Sequence, residues 1–190
     1  MNVYDFDKTI YDGDSTLDFY FFCLRQQPGL LRCLPRQLYG GFCYYLGFSE
    51  KLLFKERFYS YLSKVTDVDE KIQKFWDCHE RKIMSWYKAQ AATDDVVISA
   101  SAEFLLQEIC RRLGIRHLLA SKVDRHTGKC LSRNCYGAEK CTRYYASHLG
   151  REKIDNFYSD SYTDKPMADI AVRSFRIKGR NVYPWETWNK

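Results

Sequence analysis

The sequence predicts an α/β fold: a parallel sheet flanked by helices, with an all-helical insertion after its first strand. The chain opens on a short apolar run, Asn2 to Phe6, that delivers carboxylates at its end. Val96-Val97-Ile98 is a β-branched run of the kind found in strands buried on both faces of a parallel sheet. Between the two, residues 15 to about 90 carry only helical periodicity, whereas strand and helix signals alternate afterwards.

Taken in order, Asp12-Gly13-Asp14-Ser15 is a turn that also caps a helix, and Leu17, Tyr20, Phe21 and Leu24 form one stripe of it before Pro28-Gly29. A second helix is predicted from Leu30 to Leu46, weakened at Gly40-Gly41. Ser49 opens a third, with Phe54, Phe58, Tyr61 and Leu62 on one face. Asp67 and Glu70 have the spacing of a capping box for a fourth. Its stripe runs through Ile72, Phe75, Trp76, His79, Ile83, Trp86 and Tyr87, and His79 reads as a packed side chain because no partner lies at metal-ligand spacing. Past the Val96 strand, a helix runs from Ala102 to Leu113 and closes on Gly114. Ile115 to Ala120 is a strand, and Thr127-Gly128 is a hairpin tip within Asp124 to Cys130. Gly137-Ala138-Glu139-Lys140 opens a helix ending near Gly150, and Ile154 to Ser159 is a strand stopped by Asp160-Ser161. Pro166 suits the first turn of a last helix, with Phe175-Arg176-Ile177 as one more strand before a turn at Gly179.

A length of 190 residues suits one domain, or one domain carrying a sizeable insertion. The net charge of +6 fits an anionic substrate or surface and is too small to indicate nucleic acid. None of the eight cysteines forms a C-x-x-C pair, which gives no support to a zinc or dithiol site. The first strand begins at residue 2, so no cleavable leader is expected, and reduced thiols in a cytoplasmic setting follow. No apolar stretch reaches the ~18 residues of a spanning helix.

In such a sheet, ligands bind outside the carboxyl ends of the strands. The sequence puts Asp5 with Asp7, Ser99, Lys140, and Asp160 with Asp164 there. Residues i and i+2 of a strand share a face, so Asp5 and Asp7 are expected to converge and to need a compensating cation. A hard divalent ion suits oxygen ligands, and Mg²⁺ fits best where phosphate adds another. Ser99 and the backbone N–H groups after it, Ala100 first, would face an anion at a helix start; alone, Ser99 or Ser101 reads as an N-cap. Lys140 stands near a helix start, where a cation is disfavoured unless it balances carboxylates and phosphate. Asp160 could complete a metal site with Asp5, while Asp164 caps a helix or fixes either a metal-bound water or Lys140. Together these residues suit phosphoryl transfer through a carboxylate nucleophile, Asp5, with Asp7 as proton shuttle.

Asp5-Phe6-Asp7-Lys8-Thr9 resembles the D-x-D-x-T signature of the haloacid dehalogenase-like (HAD) hydrolases, in their phosphatase branch. Ser99 matches that family's second motif, Lys140 its third, and Asp160 with Asp164 its fourth, so the likeness covers nearly the whole chain. The stretch from Asn134 to Lys140 and the helical insertion are similar to the phosphoserine-phosphatase-like subgroup. The resemblance implies a Rossmann-like core over residues 1–14 and 91–190, with a helical cap at 15–90. It also implies Mg²⁺ held by Asp5, the Asp7 carbonyl and Asp160, and Thr9 orienting the Asp7 region. Ser159-Asp160-Ser161 in place of a glycine-flanked aspartate, and Thr163 in place of an asparagine, depart from phosphoserine phosphatases and bear on the substrate rather than the chemistry.

The expected activity is therefore Mg²⁺-dependent hydrolysis of a small phosphorylated metabolite. A second reading comes from Phe19 to Phe48, which is rich in aromatics and has no acid or lysine, only Arg25, Arg32 and Arg36. Such a stretch either packs a core of its own or meets anionic lipid as a peripheral membrane contact. Some relatives in the subgroup are phosphatidylglycerophosphate phosphatases, so the resemblance allows a lipid phosphate substrate. A basic, aromatic single-stranded RNA-binding module is a third reading, and it has no use for acids gathered at strand ends.

Overall fold

The computed structural model describes residues 1–48 and 50–186. Its centre is a six-stranded sheet in the order β3-β2-β1-β4-β5-β6. The strands are β1 (Asn2–Tyr4), β2 (Val96–Ala102), β3 (His117–Ser121), β4 (Asn156–Ser159), β5 (Arg173–Lys178) and β6 (Asn181–Pro184). All neighbours pair in parallel except the β5–β6 hairpin. The edge strand β6, absent from the sequence reading, follows the expected turn at Gly179, whose φ is +60°.

Strand alternation sorts the core into two faces. Tyr4, Val97 and Tyr158 point into one apolar cluster, whereas Val3, Val96, Ile98 and Phe157 point into the other. The second face is covered by α7 (Ala138–Ala146) and α8 (Lys165–Ile170), through Tyr144, Met167 and Ala168. The first is covered by α6 (Glu103–Leu113) and by helices inserted between β1 and β2, α1 (Ser15–Gln26), α3 (Lys51–Tyr59), α4 (Val68–His79) and α5 (Ser85–Lys88), while α2 (Leu34–Tyr45) of the same insertion adds no residue to this cluster. Phe19, Ile72, Phe75 and Trp76 of this insertion share one cluster with Tyr4 and Val97, and the Trp76 indole donates to the Leu105 carbonyl at 2.8 Å. The α/β architecture with a helical insertion is thus as the sequence predicts.

Several boundaries differ. The helix expected over Leu30 to Leu46 begins only at Leu34, because Pro35 fits a first helical turn and residues Pro28–Cys33 form a 3₁₀ turn instead. Gly40 does not weaken α2; a Cβ there would lie 2.8 Å from Arg57 Cβ, so the glycine permits close packing on α3. The opening of α3 at Ser49 lies outside the described residues, and the helix starts at Lys51. The capping box at Asp67 is not made, since Asp67 is left-handed (φ +49°) and its side chain bonds no helix N–H, while Glu70 pairs with Lys74. The stripe from Ile72 to Tyr87 is buried as expected, but α4 stops at His79 and Ile83 instead bridges to Tyr11. His79 packs on the Phe75 ring at 4.2 Å, as read from the sequence.

The hairpin tip forms: Val123 bridges Cys130, and Asp124 Oδ1 accepts the N–H groups of His126 and Thr127. Gly128 has φ +75°, and a Cβ on it would stand 2.1 Å from the Tyr59 carbonyl oxygen, so this loop abuts the end of α3. All eight cysteines are free thiols. No helix among the described residues is long and apolar enough to cross a membrane.

Candidate active site

At the carboxyl ends of β1, β2 and β4 lies a cleft of about 160 Å³. Asp5, Asp7, Ser99, Ala100, Lys140, Asp160 and Asp164 all line it, so the residues singled out from the sequence are brought together with Thr9 just behind. β1 ends at Tyr4, and Asp5 N–H still donates to the Tyr158 carbonyl at 2.9 Å, which fixes Asp5 at the sheet rim. The chain then turns sharply: the N–H groups of Thr9, Ile10 and Tyr11 all point to the Phe6 carbonyl, and Lys8 takes a left-handed φ of 55°.

That turn separates the two carboxylates that a continued strand would have left side by side. Asp5 Oδ1 accepts from Lys140 Nζ at 2.7 Å. Asp7 instead accepts the Ser15 N–H at 2.7 Å and the Ser101 hydroxyl. Both line the cleft, but different partners hold them. Burial raises the Asp7 pKa to about 6, with Asp14 adding to the rise and Ser101 opposing it. Burial also raises Asp5, against the pull of Lys140.

Lys140 lies in the first turn of α7 with its side chain 2% exposed. Its ammonium donates to Asp5 and, at 2.6 Å, to Asp164 Oδ2. Burial works against its charge, but the two carboxylates outweigh that and hold its pKa above the usual lysine value. Asp164 also accepts from Ser159 Oγ at 2.8 Å and makes no side-chain cap to α8. Of the roles open to it, fixing Lys140 is the one the geometry displays. Thr9 is placed differently from the expectation: its Oγ1 accepts the Asp160 N–H at 3.0 Å, tying the first turn to the end of β4 rather than orienting Asp7. Asp160 is raised to about 7 by burial and by Asp5, while Lys8 draws it down.

Ser99 is buried inside β2 rather than at a strand-to-helix handover. The strand continues to Ala102 through a shift in register against β3 between Ser99 and Ala102, and α6 starts after an Ala102 N-cap. Ser99 and Ser101 are therefore not helix caps. Ser99 Oγ accepts the Ser101 N–H at 3.1 Å, and the Ala100 amide belongs to an irregular strand end rather than to a helix N-terminus. Two residues were missed as site residues. Ser101 binds Asp7 from a point 94 positions along the chain, a pairing no local pattern encodes. Lys55 of α3 donates to the Ala100 carbonyl and to Asn134 Oδ1, both at 2.6 Å. Burial lowers its pKa to about 8.

Among the described residues no three His, Cys, Asp or Glu side chains form a ready metal cluster. The donor set nevertheless fits a hard divalent cation. Asp5 and Asp160 are oxygen donors whose pKa values are raised mainly by burial, with Asp5 adding to the rise of Asp160, and a bound cation would offset both effects.

A family model for haloacid dehalogenase-like hydrolases matches residues 3–169. The chain belongs to that family. This haloacid dehalogenase-like hydrolase matches no curated protein by sequence. By fold it is similar to a protein of unknown function from Bordetella pertussis Tohama I, with a TM-score of 0.75 and 21% identity over 92% of this chain and 87% of that one. It is also similar to a phosphoserine phosphohydrolase-like protein from Francisella tularensis subsp. tularensis SCHU S4, with a TM-score of 0.54 and 16% identity over 92% and 86% of the two chains. A substrate-bound phosphoserine phosphatase gives a TM-score of 0.51 and 12% identity over 90% and 82%. These likenesses place the hydrolase in the α/β fold of that group, as the motifs around Asp5, Ser99, Lys140 and Asp160 imply.

Proposed function

We propose that this hydrolase cleaves phosphate monoesters of small metabolites, with Mg²⁺ as cofactor and Asp5 as the nucleophile. The observation that carries the reading is the buried Lys140 ammonium between Asp5 and Asp164, at the mouth shared with Asp160. A lysine held charged there neutralises a phosphoryl group arriving at Asp5, and the Ala100 amide and Ser99 hydroxyl line the same wall. Asp5 attacks phosphorus, the ester oxygen leaves with a proton from Asp7, and the aspartyl-phosphate is hydrolysed when Asp7 takes a proton from water. A raised pKa of about 6 suits Asp7 to both steps. Asp5, Asp160 and the Asp7 carbonyl would hold Mg²⁺, which supplies charge neutralisation to the transferring oxygens. Residues 15–90 serve as a cap over a core of residues 1–14 and 91–190. Hydrolysis of p-nitrophenyl phosphate tests this: it should need Mg²⁺ and be abolished by Asp5→Asn. Full activity in EDTA would refute it.

A second reading, a lipid phosphate met at a membrane surface, is favoured by one feature. α2 is turned inside out: Gln37, Gly40 and Cys43 are buried, while Leu38, Phe42 and Tyr45 are 64, 61 and 87% exposed. The expectation that this stretch packs its own core fails for that face. Arg32 and Arg36 are exposed beside it, so the surface is both apolar and cationic. Flotation with anionic liposomes at low salt tests this reading, and failure to float removes it. RNA binding gains nothing from a buried cluster of acids and is set aside.

A further inference from the structure

Next to the catalytic cleft is a second cavity, of about 350 Å³, and the two share Asp7, Asp14 and Ala100 as wall residues. Asp7 therefore stands at the junction. Since the group that protonates the departing oxygen must face the leaving group, the leaving group extends to the Asp7 side, where this cavity opens.

The wall there is carbon. Leu17, Phe54, Phe58 and Tyr59 form its apolar face, and several of its polar groups already have partners. Thr16 Oγ1 lies 3.3 Å from Tyr59 OH and 3.1 Å from Ser101 Oγ, and Ser101 donates to Asp7. Asp14 accepts the Leu17 N–H at 3.0 Å. Among the described residues lining this cavity Lys55 is the one cation, and its ammonium is committed to Ala100 and Asn134. Among the described lining residues there is no guanidinium to fork a carboxylate.

The geometry points to a substrate class: phosphate monoesters whose alcohol is apolar, alkyl or aryl, seated against Leu17, Phe54 and Phe58. An amino-acid alcohol such as serine would bring a carboxylate beside Asp7 and Asp14, where Lys55, already shared between two oxygens, is the one cation among the described lining residues, and that charge would count against it. The inference rests on the phosphatase reading and names the leaving group for that same site. Lys55 of α3 donates to the Ala100 carbonyl and so ties this cavity to the phosphate-binding wall.

The test is kcat/KM for the whole protein with Mg²⁺ across ethyl, butyl and hexyl phosphate, beside O-phosphoserine, O-phosphoethanolamine and acetyl phosphate. A second arm presents phosphatidic acid in mixed detergent micelles. Burial of each methylene predicts a rise of about two- to four-fold per CH₂ until the cavity is full. Phe54→Ser should flatten that rise, and the wild-type series decides alone if the variant does not fold. A rise among the soluble esters assigns a free apolar alcohol, and turnover confined to the micelle arm assigns a lipid; either supports an apolar leaving group. Turnover of acetyl phosphate with a flat alkyl series, or a preference for phosphoserine, overturns the assignment while leaving the phosphatase reading intact. Silence on every ester and on acetyl phosphate overturns both.

Discussion

Replacing Lys140 by methionine removes the cation and keeps the volume. In the metal-free protein it leaves Asp5 and Asp164 facing each other, both nearly buried, without the ammonium that now lies 2.7 and 2.6 Å from them. Breaking a buried ion pair from one side costs about 3–5 kcal/mol. Asp5, already raised by burial against the pull of Lys140, can escape part of that cost by taking up a proton once that pull is gone. Its folded-state pKa would climb further above the unfolded one, so the variant keeps its stability at low pH and loses it as the pH rises. Lys140 in the wild type is charged throughout, its pKa being held above the usual lysine value. Urea denaturation in EDTA should therefore show a midpoint shift of roughly 1–2 M at pH 8, taking a slope of about 2–3 kcal/mol/M, and a clearly smaller shift at pH 5. The same variant should lose about 10²- to 10³-fold in kcat, since its charge no longer faces the transferring phosphoryl group. A pH 8 midpoint within about 0.3 M of wild type would mean that Lys140 is not what holds the two acids together.

Asp7→Asn should cost ~10²-fold or more in kcat on alkyl phosphates and less on p-nitrophenyl phosphate, whose leaving group needs no proton; equal losses would deny Asp7 the acid role. Ser101→Ala removes the hydroxyl that restrains the Asp7 pKa, so the limb of the pH–rate profile set by Asp7 should move upward, with a loss of about ten-fold in rate. Asp7 and Asp160 have folded pKa values raised to about 6 and about 7, so their contribution to stability is complete below the unfolded carboxylate range and lost as the pH climbs through those values. The melting temperature in EDTA should fall between pH 5 and 8, and Mg²⁺ should restore more of it at pH 8; a flat profile would contradict the burial of these acids. Gly128→Ala, which forces a Cβ against the Tyr59 carbonyl at a positive φ, should lower stability by about 1–3 kcal/mol in denaturant melts.

Much of the site was legible because most of the residues singled out follow or open an element that announces itself, although Ser99 proves to lie inside its strand. Asp5 follows an apolar run, Ser99 follows Val96-Val97-Ile98, Asp160 follows Ile154 to Ser159, and Lys140 stands just past Gly137. The parallel sheet then gathers those ends without further instruction. What stayed hidden depends on contacts between distant segments. The Asp7 carboxylate turns toward Ser15 and Ser101 only because the chain coils around the Phe6 carbonyl, and a D-x-D pattern does not say that the strand stops before its second acid. The periodic burial from Ile72 to Tyr87 was real, but burial continues where the helix does not, because Ile83 bridges Tyr11. Pro35 did mark the true start of α2 and was outweighed by the apolar run around it. The left-handed Asp67 had no comparable signal.

The shared apolar cluster opposes an outward swing of the insertion. Trp76 and Phe75 of α4 are wholly enclosed with Tyr4 and Val97, and the indole is tied to the Leu105 carbonyl. Swinging the entire insertion outward would strip those rings of their neighbours and wet them, several kcal/mol for the two aromatics alone. At the other end α3 meets the rim through Lys55 and the Gly128 loop, so the insertion is held at both ends by contacts of different kinds, enclosed rings at α4 and polar or backbone contacts at α3.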